Sequence, residues 1–95
     1  MARVVGTGMA VAVARRLSVE IASPSQKQED LDAKARRYLA GGTSLLWMVW
    51  PEARVVDVWR AAERLRPSTS LGVLDVLDGE NVVSGFAYPI ADLFR

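Results

Sequence analysis

The stretch SVEIASPSQKQEDLDAKARRYLAGGTSLLWMVWPEARVVDVWR, residues 18–60, decides the fold. SVEI, residues 18–21, reads as a short strand with β-branched flanks. Ala22-Ser23-Pro24-Ser25 ends it, because proline cannot continue a central strand. The spacing then predicts a helix over about 26–40. Ser25 is the expected N-cap, with Gln28 three residues on as its capping-box partner. Gln28, Glu29 and Asp30 place polar and acidic groups in the first turns, where the helix dipole favours negative charge. Leu31, Ala35, Tyr38 and Leu39 fall at i, i+4, i+7 and i+8 and make one apolar face. Gly41-Gly42 ends the helix, since glycine takes a left-handed cap without a Cβ clash.

Beyond the helix, SLLWMVW (residues 44–50) is a continuous apolar run of strand length. Pro51-Glu52-Ala53-Arg54 is a turn, and VVDVWR (55–60) returns as a second strand, so the two form a hairpin. Working outward, residues 64–70 read as a polar loop containing Pro67, and LGVLDVL (71–77) as a third strand. Asp78-Gly79-Glu80-Asn81 is a turn, Val82-Val83 a short edge strand, Ser84-Gly85-Phe86 a bend, and PIADLF (89–94) one closing helical turn. Residues 1–14 are small and β-branched with no clean period, fitting a strand or a loose end. The fold class that follows is α+β, one main helix packed on a largely antiparallel sheet. Leu31, Ala35, Leu39, Leu46, Val49, Val56 and Val58 are the expected core.

With 95 residues the chain is one domain at most and buries a modest core. A hydrophobic content of 51% is too high for a disordered chain. Net charge is +1, so no large basic field is available to hold nucleic acid by charge alone. The chain has no cysteine and no histidine, which removes disulfides, thiolate zinc sites, cysteine nucleophiles and the Ser-His-Asp triad. The low-polarity run 4–14 is far short of the roughly 20 residues of a spanning helix. As a secretory signal it fails, because Gly6 and Gly8 interrupt it and Arg15-Arg16 follow rather than precede it. An intracellular, cytoplasmic protein without a membrane partner is expected.

Chemistry therefore falls to carboxylates and lysines. Only Lys27 and Lys34 stand against ten arginines, and lysine is the compact point charge that can titrate. Glu20 is an acid inside an apolar strand, costly unless exposed, paired or bound to a metal. Lys34 lies one helical turn after Asp30 and one before Tyr38. Taken singly, these residues have plain explanations: Glu20 on a solvent face, and Asp30–Lys34 as an i, i+4 surface pair worth a few tenths of a kcal/mol. Trp47, Trp50 and Trp59 read as hairpin core rather than a base-stacking platform. Gly6-Thr7-Gly8 lacks the third glycine, the lysine and the following helix of a phosphate loop.

Order and spacing together carry more. Glu20, Ser23-Pro24-Ser25, then Asp30, Lys34, Tyr38 and Gly42, then Trp47-Met48-Val49-Trp50-Pro51, then residues 55–60, closely resemble the Uma2 (Uma-two) family of restriction-endonuclease-like proteins. That family runs a VEV or VEI strand into Ser-Pro-Ser, a D-x-x-x-K-x-x-x-Y-x-x-x-G helix, and strands like YWLVDP and VEVYR. The tail LDGENVVSGFAYPIADLF also looks like the family's ending, and the resemblance covers roughly residues 17–95. It implies a PD-(D/E)xK nuclease fold, DNA as the substrate, Mg²⁺ as the cofactor and a homodimer as an expected assembly. By resemblance Glu20 is a metal-ligating carboxylate and Lys34 the catalytic lysine, moved onto the helix because the usual strand position is Ala22. Asp30 and Tyr38 would be supporting residues. Hard divalent ions take oxygen ligands, and positive charge near the attacked phosphorus stabilises the transition state. Glu20 and Lys34 are expected to meet at one end of the sheet.

The chain departs from the family pattern in three places. The Pro-Asp-Leu that often precedes the glutamate strand aligns its aspartate with Arg16 and its proline with Arg15. Trp50 replaces the acid of the WLVDP strand, and residues 1–14 hold no acid. The expectation is one partial, N-terminally truncated domain over 1–95, with 1–16 atypical. The readings are a metal-dependent endonuclease that is catalytically incomplete in this chain, a non-catalytic truncated remnant, and a small α+β homo-oligomeric interaction domain.

Overall fold

A computed structural model describes residues 2–4, 16–63 and 66–95. Most of the segment 1–14 and part of the loop 64–70 therefore lie outside the described residues. Five strands form the main sheet in the order β1 (Ala2–Val4), β2 (Leu17–Ile21), β3 (Leu45–Trp50), β4 (Val55–Arg60) and β5 (Thr69–Leu71). The β2–β3 pair is parallel, with helix α1 (Gln28–Ala40) as its crossover, and β1 is parallel to β2. From β3 to β5 the sheet is antiparallel. Strands β6 (Val76–Asp78) and β7 (Ala87–Pro89) form a separate antiparallel pair that runs into α2 (Ile90–Leu93).

Side chains alternate across a strand, so the register assigns each residue to a face. Ala22, Leu46, Met48 and Trp59 pack under Leu31, Ala35 and Leu39 of α1. Leu17, Leu45, Trp47, Val49, Val56 and Val58 fill the opposite face beneath Leu77 and Ile90. All seven residues expected in the core are buried. The central strands β3 and β4 are buried on both faces, which explains why LLWMVW is apolar without alternation. Trp47 and Trp59 are core, as expected, and Trp50 is half-buried.

Three local expectations are corrected. The helix begins at Gln28 with Lys27 at the N-cap position, and no side chain caps it. Ser25 is not the cap because residues 23–26 close a turn of their own. The Ser23 N–H donates to Gln26 Oε1 at 2.8 Å, and the Gln26 N–H donates to the Ser23 carbonyl at 3.1 Å. Gln28 is drawn forward instead, its Nε2 donating to Asp32 Oδ1.

The 71–77 strand is really two strands separated by a turn. There the Gly72 N–H donates to Asp75 Oδ2 at 2.8 Å and the Asp75 N–H to the Gly72 carbonyl. Finally, Val82-Val83 is a turn rather than an edge strand, because both N–H groups donate to the Gly79 carbonyl.

The helix end is as expected. Gly42 has φ 109°, and Gly42 and Thr43 N–H donate to Leu39 and Tyr38 carbonyls, the two bonds of a Schellman motif.

Candidate active site

Strand β2 and helix α1 together build the site. Glu20 faces α1 from β2, and the residue is only 2% exposed. Four-residue spacing puts Lys34 and Tyr38 on one stripe of α1, directly above it. Lys34 Nζ donates to Glu20 Oε1 at 2.8 Å, and Tyr38 Oη donates to Glu20 Oε2 at 3.3 Å. The Lys34 side chain is 15% exposed and that of Glu20 3%. Each carboxylate oxygen thus has its own donor, which is what allows an acid to be buried here. Of the plain alternatives, the solvent-facing Glu20 is excluded by its burial, and Lys34 pairs across to β2 rather than serving only a surface pair. Asp30 is exposed one turn earlier on α1, and the structure does not bring it to Glu20.

The sequence reading missed Asp57. It lies in register with Met48, which is in register with Glu20, so the three share one row on the α1 face. Asp57 is 7% exposed, and accepts from Ser70 Oγ at 2.6 Å and from Trp50 Nε1 at 3.0 Å. The available signal was Val-Asp-Val in β4, the same acid-between-β-branched pattern as Val-Glu-Ile in β2. On the far face, Arg60 makes a two-nitrogen contact with Glu80, Nε at 2.9 Å and Nη2 at 2.6 Å from Oε2. That bond, opposed by burial, raises the Arg60 pKa above the usual arginine value. It fastens the turn after β6 to β4.

The chain thus runs strand–helix–strand, with a buried acid on the first strand and its lysine partner on the helix. The family model described as "Uma2: Putative restriction endonuclease" matches residues 10–91. The chain belongs to the Uma2 family. Among solved structures, this Uma2 chain is similar to one titled "Crystal structure of a putative nuclease belonging to DUF820 from Anabaena variabilis ATCC 29413", with TM-score 0.66 and 24% identity. The match covers 86% of this chain and 45% of that one, so the chain spans under half the length of its solved neighbour. At that identity the likeness shows the α+β fold. No curated protein matches.

The donor set can be tested against the divalent ion that the family implies. Among the described residues no group of three or more His, Cys, Asp or Glu converges to hold a metal. Glu20 offers one carboxylate, with both oxygens already bonded, and Asp57 is two strands away with both of its own engaged. Mg²⁺ demands a near-octahedral oxygen shell, and the described residues as arranged do not complete one. Among them, no helix is long and apolar enough to cross a membrane.

Proposed function

We propose that this Uma2 chain carries the glutamate–lysine half of a nuclease site that hydrolyses DNA phosphodiester bonds. The observation supporting it is the Lys34 Nζ–Glu20 Oε1 contact at 2.8 Å, held between a strand and a helix with little solvent. Phosphoryl transfer concentrates negative charge on the oxygens around phosphorus, and a preorganised cation in a water-poor site stabilises it strongly. Lys34 is that cation. Glu20 holds the ammonium in place, and Tyr38 fixes the carboxylate plane through its second oxygen. Glu20 is also the carboxylate this chain offers to a divalent ion such as Mg²⁺, an incomplete ligand set on its own. A second reading, an ion pair that only pins α1 to β2, is favoured by the satisfaction of both Glu20 oxygens within the fold.

Supercoiled-plasmid nicking with Mg²⁺ or Mn²⁺, with and without EDTA, separates the two. The 95-residue chain alone is expected to nick little or not at all, for want of a second ligand. Joined to the upstream half of a longer Uma2 relative that carries the Pro-Asp aspartate, it is expected to nick in an EDTA-sensitive way. Glu20→Gln or Lys34→Met should each abolish that activity, with circular dichroism confirming the fold. Undiminished nicking by the folded variants would leave only the pinning role. Robust EDTA-sensitive nicking by the chain alone, lost on Glu20→Gln, would show that another of its residues completes the site.

A further inference from the structure

We propose that the cleft beyond the Glu20–Lys34 pair is a nucleobase subsite, stacking one base of a DNA strand on Trp50. This rests on the nuclease reading for its substrate and for the seat of the phosphate at Lys34. A cavity of about 280 Å³ opens between the turn that follows β2 and the turn that follows β3. It lies outside the carboxyl ends of two parallel strands, where open α/β sheets bind ligands. Its walls include Ala22, Pro24 and Trp50, with Ser23, Gln26 and Glu52 as the polar members.

Three observations select a base as the occupant. The first is position. Ala22 lies two residues beyond Glu20 on the same strand face, and Trp50 two beyond Met48, the partner of Glu20 in the register. Two strand steps are about 6.6 Å, so a nucleotide with its phosphate at Lys34 has its base within reach of the cleft.

The second is the fixed aromatic platform. Trp50 is half-buried, and its Nε1 is tied to Asp57, itself held by Ser70. The indole nitrogen is consumed by the fold, leaving the ring to act as a flat stacking surface. Such a surface takes any base, since every base has a π-face.

The third is the polar rim. Gln26 has its Oε1 occupied by the Ser23 N–H, which leaves the side-chain NH₂ as a donor. Glu52 brings an acceptor on the opposite turn. A donor and an acceptor lining one largely apolar slot suit the mixed edge of a base, as when a carboxylate accepts from the cytosine amino group. An apolar peptide side chain would leave both unmatched, and a bare phosphate would meet the Glu52 charge.

The test is a ¹H–¹⁵N NMR titration of the 95-residue chain with dCMP, dAMP, dGMP and dTMP, using deoxyribose 5-phosphate as the base-free control. The Trp50 indole N–H and the Gln26 amide are expected to shift with the nucleotides and not with the control. The buried Trp47 and Trp59 indoles should stay still. Trp50→Ala should weaken the apparent affinity about tenfold. Ala53→Trp should block the cleft from its exposed turn without touching the core, which covers the case of a Trp50 variant that fails to fold. No shift at millimolar nucleotide, or equal shifts with the control, would overturn the subsite. Plasmid nicking by the joined chain without any nucleotide shifts sinks the subsite alone. Shifts without any nicking, even by the joined chain, leave the subsite standing and sink the nuclease reading.

Discussion

Glu20 and Asp57 stand in one row across the sheet with Met48 between them, and each buried carboxylate is closed by its own pair of donors. Glu20 takes Lys34 and Tyr38 from the helix above. Asp57 takes Trp50 and Ser70 from the neighbouring strands. The first arrangement couples strand to helix. The second fixes the wall of the cleft at the strand ends.

Breaking the first pair from one side should be costly. Lys34→Met leaves Glu20 buried with only Tyr38, and is expected to lower stability by about 3 kcal/mol, as for other buried pairs that lose a partner. Glu20→Gln combined with Lys34→Met should recover most of that loss, because the uncompensated charge is gone. Urea denaturation of the four proteins in this cycle gives the coupling directly. Additive losses would mean that the pair contributes nothing beyond its separate side chains.

Asp57→Ala removes the acceptor from both Trp50 Nε1 and Ser70 Oγ. A loss of about 2 kcal/mol is expected, since a half-buried indole donor is left unpaired. Asp57→Asn should lose less, because its remaining carbonyl oxygen still accepts one bond. Tryptophan fluorescence followed through denaturation reports both the stability and the freed Trp50.

Gly79→Ala should damage the C-terminal layer. A Cβ at Gly79 would collide with the Val83 carbonyl oxygen and lie 2.9 Å from Phe86 Cβ. Neither neighbour can retreat easily, because Gly79 N–H donates to Phe86 O and Val83 N–H to Gly79 O, both at 2.9 Å. Roughly 2–3 kcal/mol of destabilisation is expected from such overpacking. An unchanged thermal midpoint would show that the turn relaxes freely.

Arg54→Gly should stabilise. Arg54 closes the β3–β4 hairpin with φ 56°, a left-handed conformation that disfavours a side chain, and it is exposed. Relief of that strain, less the extra freedom glycine has when unfolded, should leave a gain of about 0.5 kcal/mol. A shift to a lower urea midpoint would contradict it.

The sequence by itself determined the elements between residues 18 and 60. A 3.6-residue stripe (Leu31, Ala35, Leu39), a proline stop, a glycine pair and two apolar runs around Pro51–Arg54 are local signals, and local sterics decide them. The family pattern also singled out Glu20, Lys34 and Tyr38, because one helical stripe holds the last two. What only the tertiary structure decided is pairing at a distance. That β2 lies beside β3 in parallel, and that Met48 links Glu20 to Asp57, depends on strand register, which no short window contains. The helix start moved for a local reason, since Gln26 used its side chain to close the preceding turn with Ser23. The 71–77 run broke because Asp75 captured the Gly72 N–H, and because its two ends pair with different partners, Leu71 with β4 and Val76-Leu77 with β7. Which buried acids are tolerated was settled last, by the donors that packing delivers to each oxygen.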